Sequence, residues 1–137
     1  MLRLTKKTEY GIIAIKHIIN QSKHATNGDA VVSATEIAER FNIPRGLLGK
    51  VLQQLARHGL IRSIQGVGGG YTLAKEPEEI SLRDVVNVIE GPLAMVECIT
   101  IEGDECSQLD KCNIQSPILN IQRRLTQYFE NITLADL

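Results

Sequence analysis

The chain has 137 residues, 43% hydrophobic and 23% charged, the balance of a folded globular domain with room for a small appendage. No apolar run reaches the roughly 18 residues a membrane span needs, and the opening Met1-Leu-Arg3-Leu-Thr5-Lys6-Lys7 has no apolar signal core. The expectation is a cytoplasmic protein with no membrane partner. Without Trp, and with three Tyr and two Phe, the chain also lacks stacking platforms for single-stranded nucleic acid.

The net charge of −1 conceals an asymmetry. Residues 1–75 carry 11 Lys/Arg against 4 Asp/Glu, whereas residues 76–137 carry 4 against 12. A basic half joined to an acidic half fits a polyanion-binding module with a separate regulatory or assembly segment. All three cysteines, Cys98, Cys106 and Cys112, lie in the acidic half. An odd count without a signal peptide points to metal or redox chemistry rather than a disulfide scaffold.

In chain order, Thr5 is a candidate N-cap for a first helix carrying Ile12, Ile15, Ile18 and Ile19 through about Gln21. His17 lies within it as a packing or surface residue. Residues 22–30 are polar and turn-rich, which predicts a loop. Ser33-Ala-Thr-Glu36 has the form of a capping box, in which Ser33 accepts from the N3 amide and Glu36 reaches back. It opens a short helix with Ile37, Ala38 and Phe41. Asn42-Ile43-Pro44 breaks that helix and starts another, which Gly59 ends after about His58.

Two short helices joined by so tight a turn form a helix-turn-helix. In the second, Leu48, Val51, Leu52 and Leu55 make a buried stripe at helical spacing. The opposite face carries Gly46, Gly49, Lys50, Gln53 and Arg57, with Arg45 at its start. Each helical glycine costs on the order of 1 kcal/mol relative to Ala, and close approach to a groove wall would explain two on one exposed face. The segment 60–65, five residues rich in glycine, and Tyr71-Thr72-Leu73 then read as strand, turn and strand. A hairpin there makes a winged helix whose tip, at Gln65 and Gly66, can meet a phosphate backbone or the minor groove. A phosphate-binding loop is excluded, because no Gly-Lys-Ser/Thr and no helix follow the glycines.

Past the acidic Glu76-Pro77-Glu78-Glu79, Ser81-Leu-Arg-Asp84 starts a helix that Gly91-Pro92 ends. A loop bearing the cysteines runs from about Met95 to Asn113. Ser116-Pro117 supplies an N-cap and N1 proline for a last helix through about Asn131. Its apolar positions, Ile118, Ile121, Leu125, Tyr128 and Ile132, are spaced 3, 4, 3, 4 as in a coiled-coil seam, which predicts dimerisation; an intramolecular core helix is the competing reading. The fold class is mainly α with a small β-hairpin wing. Residues 1–75 form the DNA-binding domain, 76–115 the connector helix and cysteine loop, and 116–137 the dimerisation helix and tail.

The cysteine spacing, Cys-x7-Cys-x5-Cys, lacks the tight pair of a structural zinc knuckle. Longer spacers suit an iron–sulfur cluster held by one looping segment. Three thiolates leave a ligand to be found elsewhere, and His17, His24 and His58 all lie in the basic half. A cluster so held is labile, which suits a sensor better than an electron carrier. Unliganded thiols, or a disulfide switch with a spare Cys, stay open at this point.

These residues together resemble the iron–sulfur winged-helix regulators of the IscR/NsrR type, over nearly the whole chain. The resemblance rests on Arg3-Leu4-Thr5 with Tyr10, Ser33-x2-Glu36-Ile37-Ala38, and the wing Gly66-x-Gly68-Gly69-Gly70-Tyr71-Thr72-Leu73. It rests also on the three cysteines and the closing Asn131-Ile132-Thr133-Leu134-Ala135-Asp136-Leu137. It implies a cytoplasmic bacterial homodimer on a palindromic double-stranded DNA operator, with a [2Fe-2S] or [4Fe-4S] cluster near the dimer interface. The Glu97-Cys98 pair and the close of the cysteine segment resemble the SUF-operon branch. Three departures matter: seven residues instead of five separate the first two cysteines, Gln115 stands where IscR-like members place a His, and Gln65 stands where many relatives carry Arg. The NsrR-like branch uses a carboxylate one residue before the matching Tyr, supplied by the partner subunit, which assigns the fourth ligand to Glu9.

The expectation is therefore a transcription regulator, a repressor rather than an enzyme, whose operator affinity responds to iron–sulfur status, nitric oxide or redox stress. Arg45, Lys50, Gln53 and Arg57 would face the major groove, with Gln65 and Gly66 at the wing. A cluster-free thiol-switch regulator of the same fold and a small iron–sulfur electron-transfer protein are the alternatives.

Overall fold

Thr5 opens α1 (Lys6–Lys23), its hydroxyl accepting from the Thr8 amide at 3.3 Å. The computed structural model describes residues 2–26, 30–96, 98 and 106–137. The predicted loop at 22–30 is shorter than expected, since α1 runs two residues past Gln21, and positions 27–29 lie outside the described residues. Ile15, Ile18 and Ile19 are buried and Ile12 packs against the core.

Ser33 caps α2 (Ala34–Phe41), accepting from the Glu36 amide at 3.1 Å. The expected capping box is only half made. Instead of reaching back, the Glu36 carboxylate meets Nε2 of the buried His17 at 3.0 Å, and the His17 ring sits edge-on to Phe41. A polar tie from α1 to α2 has displaced a local cap. Asn42 then turns the chain in the left-handed region (φ 53°), which Asn tolerates better than most residues. Pro44 is the N-cap of α3 (Arg45–Arg57) rather than its first residue, and Gly59 (φ 79°) ends it. Leu48, Val51, Leu52 and Leu55 are fully buried as their spacing predicts, each contributing on the order of 1.5–3 kcal/mol.

The wing is an antiparallel hairpin of β1 (Ile61–Ile64) and β2 (Gly70–Leu73), with Ile61 opposite Leu73 and Ile64 opposite Gly70. Tyr71 also exchanges two backbone hydrogen bonds with Val32, at 2.9 and 2.8 Å, so the residues before α2 stitch onto the outer side of β2. At Gly70 the backbone approach is so close that a Cβ would run into the Val32 carbonyl.

After a 3-10 turn at Pro77–Glu79, Ser81 and Asp84 form a reciprocal capping box at the start of α4 (Leu82–Glu90), with bonds of 2.9 and 3.0 Å. Gly91 (φ 87°) ends that helix, as expected. Val85 and Ile80 are fully buried in the same core as α1 and α3. The Glu90 carboxylate reaches back across the fold and accepts from the Thr5 amide at 3.0 Å, the Thr5 hydroxyl at 2.7 Å and the Thr8 hydroxyl. The C-terminal residue of α4 thereby holds the first turn of α1. Desolvation by itself would push the Glu90 carboxyl up, but the hydroxyls of Thr8 and Thr5 and the Thr5 amide outweigh it and hold its pKa below the ordinary 4.5.

The last helix, α5 (Gln115–Asn131), starts earlier than expected. Ile114 is its N-cap, through the Ile118 amide to the Ile114 carbonyl at 2.9 Å, and Ser116 makes no cap. α5 packs on α4, and beyond it the chain returns to the core. Backbone bonds of 2.8 Å join Leu82 to Ile132 and Leu134 to Ile80, and Leu134 is buried.

Gly70→Ala is expected to destabilise the fold by roughly 1–3 kcal/mol, read as a lowered urea midpoint at unchanged slope. The Glu90 tie makes a second prediction. A carboxyl whose folded pKa is depressed adds stability that is complete above its unfolded pKa and disappears as pH falls through the folded one. Acid unfolding curves of Glu90→Gln should thus lose less stability below pH 4.5 than those of the unaltered chain.

Candidate nucleic-acid interface and thiol segment

α3 presents Arg45, Gly46, Lys50, Gln53 and Arg57 as exposed residues on the side away from its buried stripe. Arg45 is ion-paired with Glu39 at 2.9 Å, both side chains exposed, a surface pair worth at most about 1 kcal/mol and readily exchanged for a phosphate. No carboxylate pairs with Lys50 or Arg57 among the described residues. A Cβ added at Gly46 or Gly49 would meet nothing within 4 Å. Neither glycine is required by packing inside the chain, so the space they leave belongs to whatever approaches from outside.

Beside α3 lies a concavity of about 330 Å³, lined by Lys7, Lys50, Val51, Gln53, Gln54 and Arg57. Lys7 comes from the first turn of α1, and no local sequence pattern relates it to α3 residues more than 40 positions away. The wing tip is exposed throughout 62–68, and Val67 is fully so. Gln65 donates to the Ser63 hydroxyl at 3.3 Å, and Gly66 adopts φ 99°. No cation lies between Arg62 and Lys75, so the wing tip offers shape and hydrogen bonding, and the one charge of the hairpin is the exposed Arg62 on β1.

The thiol segment leaves α4 at Gly91. Gln122, the buried residue of α5, clamps its beginning by donating to the Leu93 carbonyl and accepting from the Met95 amide at 2.9 Å. A buried amide lies outside what apolar spacing can find. Cys98, Cys106 and Cys112 are all free and half-buried; the Cys106 thiol points to Gln108 Oε1 at 3.4 Å, and Cys112 follows a 3-10 turn at Leu109–Lys111. Glu97 and Gly103 lie outside the described residues. Among the described residues no three Cys, His, Asp or Glu side chains are gathered as a metal site, and Glu9 is half-exposed and ion-paired with Lys6 at 2.8 Å. Along α5, Ile118, Leu125 and Ile132 are half-buried, while Ile121 and Tyr128 stand 48% and 63% exposed.

The family model for Rrf2, an iron-dependent transcriptional regulator, matches residues 4–137. The chain belongs to the Rrf2 family. It is 32% identical to the HTH-type transcriptional regulator NsrR of Shouchella clausii (strain KSM-K16) over 136 residues, which is 99% of this chain and 88% of that protein. Its fold matches CymR (YrzC), the global cysteine regulator of B. subtilis, with a TM-score of 0.75 at 26% identity, covering 99% of this chain and 95% of that one. It matches T. potens IscR with a TM-score of 0.71 at 27% identity, covering 98% and 85%. The expected winged helix and the expected family are thus both found. This Rrf2 protein is a DNA-binding transcriptional regulator and not an enzyme, and the electron-transfer alternative falls with that assignment. No helix among the described residues is long and apolar enough to cross a membrane.

Gly49→Ala should separate folding from binding. Its Cβ enters open space, so the helix gains about 1 kcal/mol in urea unfolding, while affinity for duplex DNA in gel-shift titrations falls.

Proposed function

We propose that this protein is a homodimeric, cytoplasmic repressor whose grip on a palindromic operator is set by an iron–sulfur cluster at Cys98, Cys106 and Cys112. The observation that carries this reading is the state and place of those thiols: free, half-buried, and strung along the connection between the DNA-binding core and α5. The donor set fits the group, since soft thiolates are the ligands that irons of such clusters take. The fourth ligand is assigned to Glu9 of a second copy of the chain. Its present partner Lys6 is exposed, so releasing it costs little. When bound, the cluster supplies a centre that oxidants, nitric oxide or iron shortage can dismantle.

The remaining roles fall to the chain's own residues. Residues 1–75 bind DNA: Arg45, Lys50, Gln53 and Arg57 meet the major groove and its phosphates, and Gln65 and Gly66 meet the backbone at the wing. Residues 76–115 carry the connector helix and the thiols, and 116–137 pair the subunits. The apolar row of α5 supports pairing, because Ile121 and Tyr128 leave large exposed surfaces that a second copy would cover. A change at the thiol segment then alters the spacing of two recognition helices, which a palindrome reads as affinity.

A second reading is a thiol switch without a cluster. It is favoured by the absence of a gathered three-donor site among the described residues and by the likeness to CymR.

Protein purified without oxygen should be coloured and contain iron, and serine at Cys98, Cys106 or Cys112 should remove the colour and change operator affinity. An iron-free, colourless preparation whose DNA binding still responds to cysteine substitution would establish the second reading instead. Binding indifferent to all three substitutions sinks both.

A further inference from the structure

The proposed DNA-contacting face on α3 leaves part of its surroundings unexplained. Lys7 lines the same concavity as Lys50 and Arg57, yet it belongs to another helix. It is exposed, and neither it nor its two cationic neighbours has a carboxylate partner among the described residues. Among the described residues no acidic side chain lines the concavity. Three uncompensated cations with two amide side chains, Gln53 and Gln54, make a surface complementary to a phosphodiester, which carries one negative charge and several acceptor oxygens.

The turn that carries Lys7 is held from outside the basic half. Thr5 and Thr8 bracket Lys7, and both give their hydroxyl protons to the Glu90 carboxylate, which also accepts from the Thr5 amide at 3.0 Å. Glu90 is immediately followed by Gly91, where the thiol segment departs, and two residues further on Leu93 is gripped by Gln122 of α5. One short stretch of backbone thus links the thiol segment to the first turn of α1.

We propose that Lys7 completes a phosphate-binding cradle with Lys50 and Arg57 on the DNA backbone, and that Glu90 is the positioning residue that holds Lys7 there. This rests on the reading of α3 as the DNA-contacting helix and extends the binding surface to α1. It also gives the thiol segment a direct mechanical route to a DNA contact: displacement of Gly91 loosens Glu90 from Thr5 and Thr8, and Lys7 loses its fixed place.

The test is a gel-shift or anisotropy series on operator duplex with the full-length protein, run across a salt gradient. Lys7→Ala should weaken binding roughly three- to tenfold and lower the slope of log K against log salt by about 1. Lys50→Ala is the reference for the parent reading. If it weakens binding while Lys7→Ala leaves affinity and slope unchanged, the cradle is wrong and the α3 face stands; if neither matters, the α3 reading has failed. Glu90→Ala should weaken binding although it sits off the duplex, and Lys7→Ala made on top of it should cost less than twofold, because a lysine already out of place has little left to lose. Glu90→Gln, which keeps a carbonyl acceptor for the Thr5 amide and the hydroxyls, should restore most of the affinity and provides a folded comparison should the alanine variant unfold. Additive losses for Lys7 and Glu90, or equal defects in the alanine and glutamine variants, would overturn the positioning role.

Discussion

α1 crosses α3 and α4 at Gly11, where the close fit of the three helices leaves little room for a side chain. A Cβ there would stand 2.5 Å from Ile89 Cδ1 of α4 and 3.4 Å from Val51 Cγ1 of α3. A methyl could be met by swinging the end of Ile89; anything larger would drive the helices apart. Around this crossing Ala14, Ile15 and Ile18 of α1 close against Val51, Leu52 and Leu55 of α3 and Val85 of α4. The exposed face of α3 is therefore oriented by a helix that belongs to neither half of the helix-turn-helix. The same closeness brings the start of α1 within reach of Glu90, so the core geometry and the polar tie depend on one another.

Charge and shape are divided between neighbouring parts of the surface. Lys50 and Arg57 of α3 and Lys7 of the first turn of α1 share one exposed concavity, where screening by salt would be felt. The wing tip has glycines, an amide and an apolar side chain, with Arg62 as the exposed cation on β1. The acidic half faces a different task. Its carboxylates cap helices, as Asp84 does at Ser81, or tie elements together, as Glu90 does at Thr5 and Glu130 does to Arg83 at 3.2 Å. Asp84, Glu90 and Glu130 of the acidic half thus serve the framework of the fold.

Whatever was governed by local rules could be read from the residues. The stripe on α3, the Ser33 and Ser81 caps, the stops at Gly59 and Gly91 and the hairpin each depend on a few neighbouring positions. What escaped was set by distant partners. Glu36 satisfied the capping-box pattern, yet a buried His17 presented a nitrogen that needed an acceptor, and the carboxylate went there. Ser116 and Pro117 looked like a helix start, but the helix extends back to Gln115, since a proline in the first turn lacks only an N–H that had no partner anyway. Gln122, a polar residue beside the apolar Ile121, carries no local sign of burial, yet it is buried against two backbone groups of the thiol segment. Lys7 and Glu90 have no local signature at all. For the candidate site, residue types and helix face were legible, and the participation of α1 was not.

Val67 touches nothing that holds the fold together. It stands at full exposure on a glycine-framed tip, with no stake in the core. Replacing it is nearly free of thermodynamic penalty, in contrast to Gly70 three residues later, where a Cβ would run into the Val32 carbonyl. The tip can therefore change in sequence without first gathering stabilising substitutions elsewhere.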